Sequence, residues 1–281
     1  MATLTPRPLL DGLVFPEGPR WRDGKLWFSD MHAHKVMTVD LQGRTEDVAT
    51  VPQRPSGLGF LPDGRMLVVS MLDKRLLRLD PGGLTTVAEL AGLCDGHAND
   101  MVVDSQGRAY VGYLGFEMGE EFKLASIVMV EPDGSARVVA GELHIPNGSV
   151  ITTDGKTMIV AESRGNRLTA FDIGTDGSLS GRRVFAEVGD AVPDGICLDA
   201  ETGVWVGSPT TSEFFRVLEG GEITHRIPTP GRYAVACIHG GEDRRTLFLL
   251  TAETTGEDLR RGISKGWIET VQVDVPGAGW P

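Results

Sequence analysis

Five residues that carry side-chain oxygen recur in register along the chain: Glu17, Ser56, Asn99, Asn147 and Asp194. Ala234 is the sixth member of the series, and the spacings are 39, 43, 48, 47 and 40 residues. Two carboxylates, two carboxamides and a hydroxyl are the donors that a hard divalent cation takes. No Cys-x-x-Cys spacing or histidine cluster offers the softer tetrahedral set of a structural zinc site. Ca2+ is the first choice, with Mg2+, Mn2+ and Zn2+ as the other divalent ions to consider. An Asn or Asp next to Gly makes a turn in many proteins, so any one of these positions says little alone. Their register across six segments is what points to a metal.

That register implies elements able to bring distant residues to one place. Around each position the chain repeats a hydrophobic run, a polar or Gly-bearing turn and a second run, as in LGFLPDGRMLVVS, MVVDSQGRAYVGY and ICLDAETGVWVGS. A further pair of short strands follows, as in KRLLRLDPGGLTTVAEL. Four strands per unit at a period of about 40 to 50 residues is the signature of a β-propeller, and six units predict an all-β, six-bladed propeller of antiparallel strands. The last unit has a third strand, GWIETVQVDVP, and no fourth. The N-terminal LLDGLVF is therefore expected to complete that blade and close the ring. Residues 1–281 are expected to form one propeller domain, since no linker or composition shift divides them.

In a propeller the first strand of each blade lines the central channel, so the six positions should ring one mouth. The connections between second and third strands overhang the same face. They supply the substrate-facing candidates Met31, His32, His34, Met71, Leu72, Ser163 and Arg164, and longer loops there add Phe116 and Met118. His97 and Asp100 flank the ring residue Asn99. Glu117, Glu120 and Glu121 read as a solvated loop face, and Cys197 with Cys237, in equivalent places on adjacent first strands, as core packing.

Charge and composition remove other classes. The chain of 281 residues has 27 Lys and Arg against 39 Asp and Glu, a net charge of -12, which disfavours a nucleic-acid partner. No apolar run is long enough to span a bilayer. The N-terminus lacks a basic start followed by an apolar stretch, so a cytoplasmic protein without a membrane partner is expected. Three cysteines do not make a disulfide framework.

PEGPRW at 16–21, Asn99-Asp100, PNG at 146–148, PDG at 193–195 and the ending VDVPGAG resemble the gluconolactonase, regucalcin (senescence marker protein) and luciferin-regenerating enzyme family over essentially the whole chain. The resemblance implies a six-bladed propeller with one catalytic divalent ion and hydrolysis of lactones. It implies Glu17, Asn147 and Asp194 as direct metal ligands, Asn99 at the metal or the substrate, and Asp194 as general base. Family members acting on sugar lactones often carry Arg two residues before the Asn-Asp pair, where this chain has His97. With the methionines and Phe116 on the loops, that departure raises the expectation of a less polar lactone. The ion would polarise the carbonyl and acidify water, while Asp194, or else His97 or Asp100, takes the proton. No Gly-x-Ser-x-Gly elbow supports a serine hydrolase. The alternatives are a phosphotriester or other ester hydrolase at the same metal site, and a calcium-binding propeller without turnover. The partner expected is a small-molecule lactone; the oligomeric state stays open.

Overall fold

The computed structural model describes residues 4–93, 95–117 and 120–279. The described strands form six antiparallel four-stranded sheets arranged as the blades of a propeller. Blade one comprises Pro16–Arg22, Lys25–Asp30, Lys35–Asp40 and Thr45–Thr50, and blade two Pro55–Phe60, Met66–Ser70, Arg75–Asp80 and Gly83–Glu89. Blade three comprises Ala98–Val103, Ala109–Tyr113, Ala125–Val130 and Ala136–Leu143, and blade four Pro146–Ile151, Thr157–Glu162, Arg167–Ile173 and Leu179–Glu187. Blade five comprises Ile196–Leu198, Val204–Ser208, Glu213–Val217 and Ile223–Pro228. In blade six, Tyr233–Gly240, Thr246–Glu253 and Lys265–Gln272 are completed by the N-terminal strand Arg7–Leu13, which pairs with Lys265–Gln272 as the closure pattern anticipates. Among the described residues no helix is long and apolar enough to cross a membrane.

The position of a strand within its blade explains its sequence. Second strands have a neighbouring blade on both faces, and MLVVS, AYVGY and VWVGS are buried at every residue. A strand covered on both faces reads as a continuous apolar run rather than an alternation. Fourth strands face solvent at the rim, and TEDVAT is exposed or half-buried throughout. Between blades two and three, Leu67, Val69 and Leu76 pack with Met101, Val103 and Val111, and equivalent clusters fill the other gaps.

Two local devices fix the innermost strands. The pairing register slips just after the ring position in blades one, two, three, four and six, between Glu17 and Arg20, Pro55 and Leu58, Ala98 and Met101, Pro146 and Ser149, and Ala234 and Ala236. Such a bulge re-aims the side chains beside it. The residue after the ring position is Gly18, Gly57, Gly148 or Gly195 in four blades. A Cβ on Gly148 would stand 2.6 Å from both the Asp194 carbonyl oxygen and the Ile196 nitrogen, and one on Gly57 would stand 2.4 Å from the Met101 nitrogen. These glycines are therefore not turn residues; they let the backbone of one blade lie directly against the next. In blade five Asp194 precedes the short strand Ile196–Leu198, and the Gly195 amide bonds out of its own sheet to the Val235 carbonyl at 2.8 Å.

A buried carboxylate holds blade four at the mouth. Glu162, fully buried at the end of the second strand, accepts from the His144 amide at 2.8 Å and pairs with Arg167 at 3.0 Å and Arg182 at 3.1 Å. Burial alone would raise its pKa, but hydrogen bonds from Arg167, Thr169 and the His144 amide outweigh it and hold the carboxyl at about 2. The stability this lends is complete above the ordinary carboxylate range and is lost as pH falls towards 2. Glu162→Gln should cost about 3 kcal/mol at neutral pH and flatten the acid limb of stability, measured by denaturant unfolding between pH 7 and pH 3. Gly148→Ala should cost about 1 to 3 kcal/mol by overpacking, read from the same unfolding curves.

Candidate metal centre and active site

The bulges and glycines bring the ring positions into contact. The Ser56 hydroxyl donates to Asn99 Oδ1 at 3.2 Å, and Asn99 Nδ2 donates to Asn147 Oδ1 at 3.2 Å. Asn147 Nδ2 reaches Ser163 Oγ at 3.3 Å, and that hydroxyl donates to the Pro193 carbonyl at 2.7 Å, one residue before Asp194. A single hydrogen-bonded chain thus runs from blade two to blade five. Each carboxamide oxygen still has a second lone pair, and the Asn99 nitrogen a second hydrogen. Ser56 and Asn99 are buried, whereas Glu17, Asp100, Asn147 and Asp194 are half-buried, as befits a channel mouth.

The carboxylates crowd one another. Burial raises the Glu17 pKa well above its ordinary value, and the charges of Asp100 and Asp194 raise it further, with the neighbouring Ser56 hydroxyl a lesser, opposing influence. Asp194 is pushed up to about 8 by burial and by Asp100, against a hydrogen bond from Asn147. Asp100 is raised by burial too, but the Arg20 guanidinium and the Met101 amide oppose this. Arg20 lies deeper in the channel, donating to the Pro19 carbonyl at 2.7 Å and the Met101 carbonyl at 2.5 Å. Glu17 Oε1 is buried and has no hydrogen-bond partner among the described residues.

These observations test whether a divalent ion suits the residues present. Carboxylates that repel, one with an orphaned buried oxygen, beside two carboxamide oxygens with free lone pairs, form a donor set that a hard cation would complete. Among the described residues no three His, Cys, Asp or Glu side chains group in a way that could hold a metal. The set therefore depends on carboxamides as well as carboxylates, and on those terms the residues fit.

The flanking candidates are spread around the same mouth. His97, half-buried, meets Glu117 Oε2 with Nε2 at 2.5 Å, and Glu117 also pairs with Lys74 at 3.4 Å. Burial lowers the His97 pKa, and the opposing pull of Glu117 does not reverse it. Glu117 is thus a partner of the histidine rather than a bare loop charge; the sequence offered no spacing that could link residues 97 and 117. His32 packs edge-on against Phe15 with ring centroids 5.7 Å apart, and burial foremost, with Arg54 and His34, lowers its pKa to about 4. Met31 and Met71 are buried in one apolar cluster with Phe15, and Leu72 packs against it. Phe116 is half-buried and meets Phe122 edge-on at 5.9 Å. Met118 lies outside the described residues. Cys197 and Cys237 are buried with Sγ atoms 3.7 Å apart, inside the core as their equivalent places imply.

The chain is 25% identical to regucalcin of Danio rerio over 250 residues, covering 84% of this chain and 82% of that protein. It is 24% identical to 6-deoxy-6-sulfogluconolactonase of Pseudomonas putida over 278 residues, covering 95% and 94%. Among solved structures, luciferin-regenerating enzyme superposes with a TM-score of 0.84 at 17% identity, over 98% of this chain and 97% of that one. A calcium-binding protein, regucalcin, of Agrobacterium tumefaciens superposes with a TM-score of 0.77 at 23% identity, over 99% of each chain. Residues 15–253 match the model of the SMP-30/Gluconolactonase/LRE-like region, from the residue before the first glycine-flanked motif to the end of the second strand of blade six, and the chain belongs to that family.

Proposed function

We propose that the protein is a divalent-metal-dependent lactonase whose ion is held by Glu17, Asn147 and Asp194, with Asn99 adjacent. The observation that carries this reading is the orphaned Glu17 oxygen in a ring of mutually repelling carboxylates. A scaffold has no need of such a site, and the folded protein bears its electrostatic cost. Relatives named as lactonases support the reaction class, among them the Pseudomonas putida sulfogluconolactonase and a gluconolactonase of Xanthomonas campestris with a TM-score of 0.75. Ca2+ is the ion proposed, in keeping with the regucalcin names.

A bound divalent ion would supply Lewis acidity, drawing charge off the lactone carbonyl and making water more acidic. The protein's own groups do the rest. The second hydrogen of the Asn99 carboxamide can hold a carbonyl oxygen as it gains charge, while that of Asn147 is directed to Asp194. Asp194 takes a proton from water as the oxygen–carbon bond forms, and the ring carbon–oxygen bond then breaks. The proton passes to the departing alkoxide, leaving a hydroxy acid. His97, oriented by Glu117, is the second candidate for the base. Ser163, which receives Asn147 and donates to the Pro193 carbonyl, positions both flanks of the ring.

A pH-indicator assay over a lactone panel, with Ca2+ and with chelator, tests the reading. Ring opening abolished by chelator and restored by Ca2+ is expected. A Ca2+-dependent rise in melting temperature without opening of any lactone would instead favour a calcium-binding protein, and phosphotriester turnover alone would favour the ester alternative. Asp194→Asn keeps the shape and one oxygen donor, and should lower kcat about a hundredfold or more at saturating ion. Glu17→Gln should remove most of the Ca2+-dependent rise in melting temperature, read by differential scanning calorimetry.

A further inference from the structure

Two places before the ring residues, the six blades carry Phe15, Arg54, His97, Ile145, Val192 and Arg232. These lie at the mouth, and their side chains divide by chemistry. Blades four and five present Ile145 and Val192, whereas blades two, three and six present cationic or titratable groups. Arg232 is already committed, to Thr251 at 3.2 Å, to Glu269 at 2.9 Å and to the face of Trp267 at 5.3 Å. His97 is committed to Glu117.

Arg54 has no such commitment. Its guanidinium makes no hydrogen bond or ion pair among the described residues, and its Nε is buried. Two further nitrogens share that condition: His32 Nε2 and His34 Nδ1 are buried without partners on the neighbouring blade-one connection. The corner is built rigidly. The Arg54 amide donates to the Val51 carbonyl at 3.1 Å, the Val51 amide to the His34 carbonyl at 2.9 Å, and the Met71 amide to the Arg54 carbonyl at 2.9 Å. Arg54 and Ile145, two of these six positions, have a left-handed backbone, φ 66 and 60. What is particular to blade two is the guanidinium. On the blade-two connection Asp73 pairs with Arg75 through Oδ2 while its Oδ1 is buried without a partner, and Lys74 pairs with Glu117.

A buried donor left unpaired costs about 1 to 3 kcal/mol, and a guanidinium fork matches the geometry of a carboxylate, sulfonate or phosphate. We propose that Arg54, assisted by His32 and His34, binds an anionic substituent of the substrate, so that the preferred lactone carries an oxyanion directed towards blade two. This rests on the lactonase reading. It replaces an apolar surface with a charged one on that side of the mouth and leaves Ile145 and Val192 to face the ring carbons.

The test compares γ-butyrolactone with the same ring bearing a carboxylate. Wild type should favour the carboxylated ring in kcat/KM, and that preference should shrink as sodium chloride is raised. Arg54→Met should lower the ratio of the two specificity constants about tenfold or more, while Arg54→Lys should keep most of it. Calorimetry with 3-oxocyclopentanecarboxylate and cyclopentanone, neither of which can be hydrolysed, reads the same discrimination without turnover. If no lactone is opened but the ketones are still distinguished through Arg54, the lactonase reading fails and the anion site stands. If lactones are opened but wild type prefers the neutral ring, or Arg54→Met leaves both ratios unchanged, the anion site is overturned.

Discussion

Everything at the mouth depends on how closely the innermost strands approach one another. Gly57 and Gly148 lie against the backbone of the next blade with no room for a methyl group, and a Cβ on Gly195 would stand 2.4 Å from that of Ala236. That contact makes the channel narrow enough for Glu17, Asp100 and Asp194 to sense one another. Packing that favours the folded state and charge repulsion that opposes it are therefore imposed at the same residues. The packing energy is drawn from large apolar interfaces between blades, so the fold can sustain an unfavourable cluster at its axis.

Arg20 shows how that opposition is partly contained. It sits below the ring and draws down Asp100, which leaves Glu17 and Asp194 as the carboxylates with most to gain from a cation. The relief is partial: Asp100, beside the ring, stays raised even with Arg20 opposing it. The chain of hydrogen bonds from Ser56 through Asn99 and Asn147 to Ser163 fixes the carboxamides on the same circle.

The architecture was readable because every blade repeats the same burial problem, and the repeated solution leaves a period in the sequence. Ring membership was readable for the same reason, down to the closing strand Arg7–Leu13. Partnerships made by side chains across loops were not. Nothing in the spacing of His97 and Glu117 distinguishes a pair from two surface charges, and Arg54 stands in a turn whose sequence, PQRPS, looks like any other. Burial on the loops was equally hidden: Met31 and Met71 look like exposed loop residues until the backbone folds them into the apolar cluster with Phe15. The period identifies what the blades share, whereas specificity lies in what they do not.

The joining of Arg7–Leu13 to Lys265–Gln272 has a consequence for how the molecule acquires its shape. Leu10 lies opposite Ile268, and the Ser264 hydroxyl bonds the Val14 carbonyl at 2.6 Å across 250 residues of sequence. Blades one to five can assemble from neighbouring segments, but this last sheet forms only when the two ends of the chain meet. Loop-closure entropy grows only slowly with length, by about 0.6 kcal/mol for each doubling, yet contacts so distant in sequence slow folding. During synthesis the circle stays open until the final strand has emerged, and its two unpaired edges remain available for wrong pairing until then. Once shut, the same seam ties the first blade to the last, and unfolding from either end has to break it first.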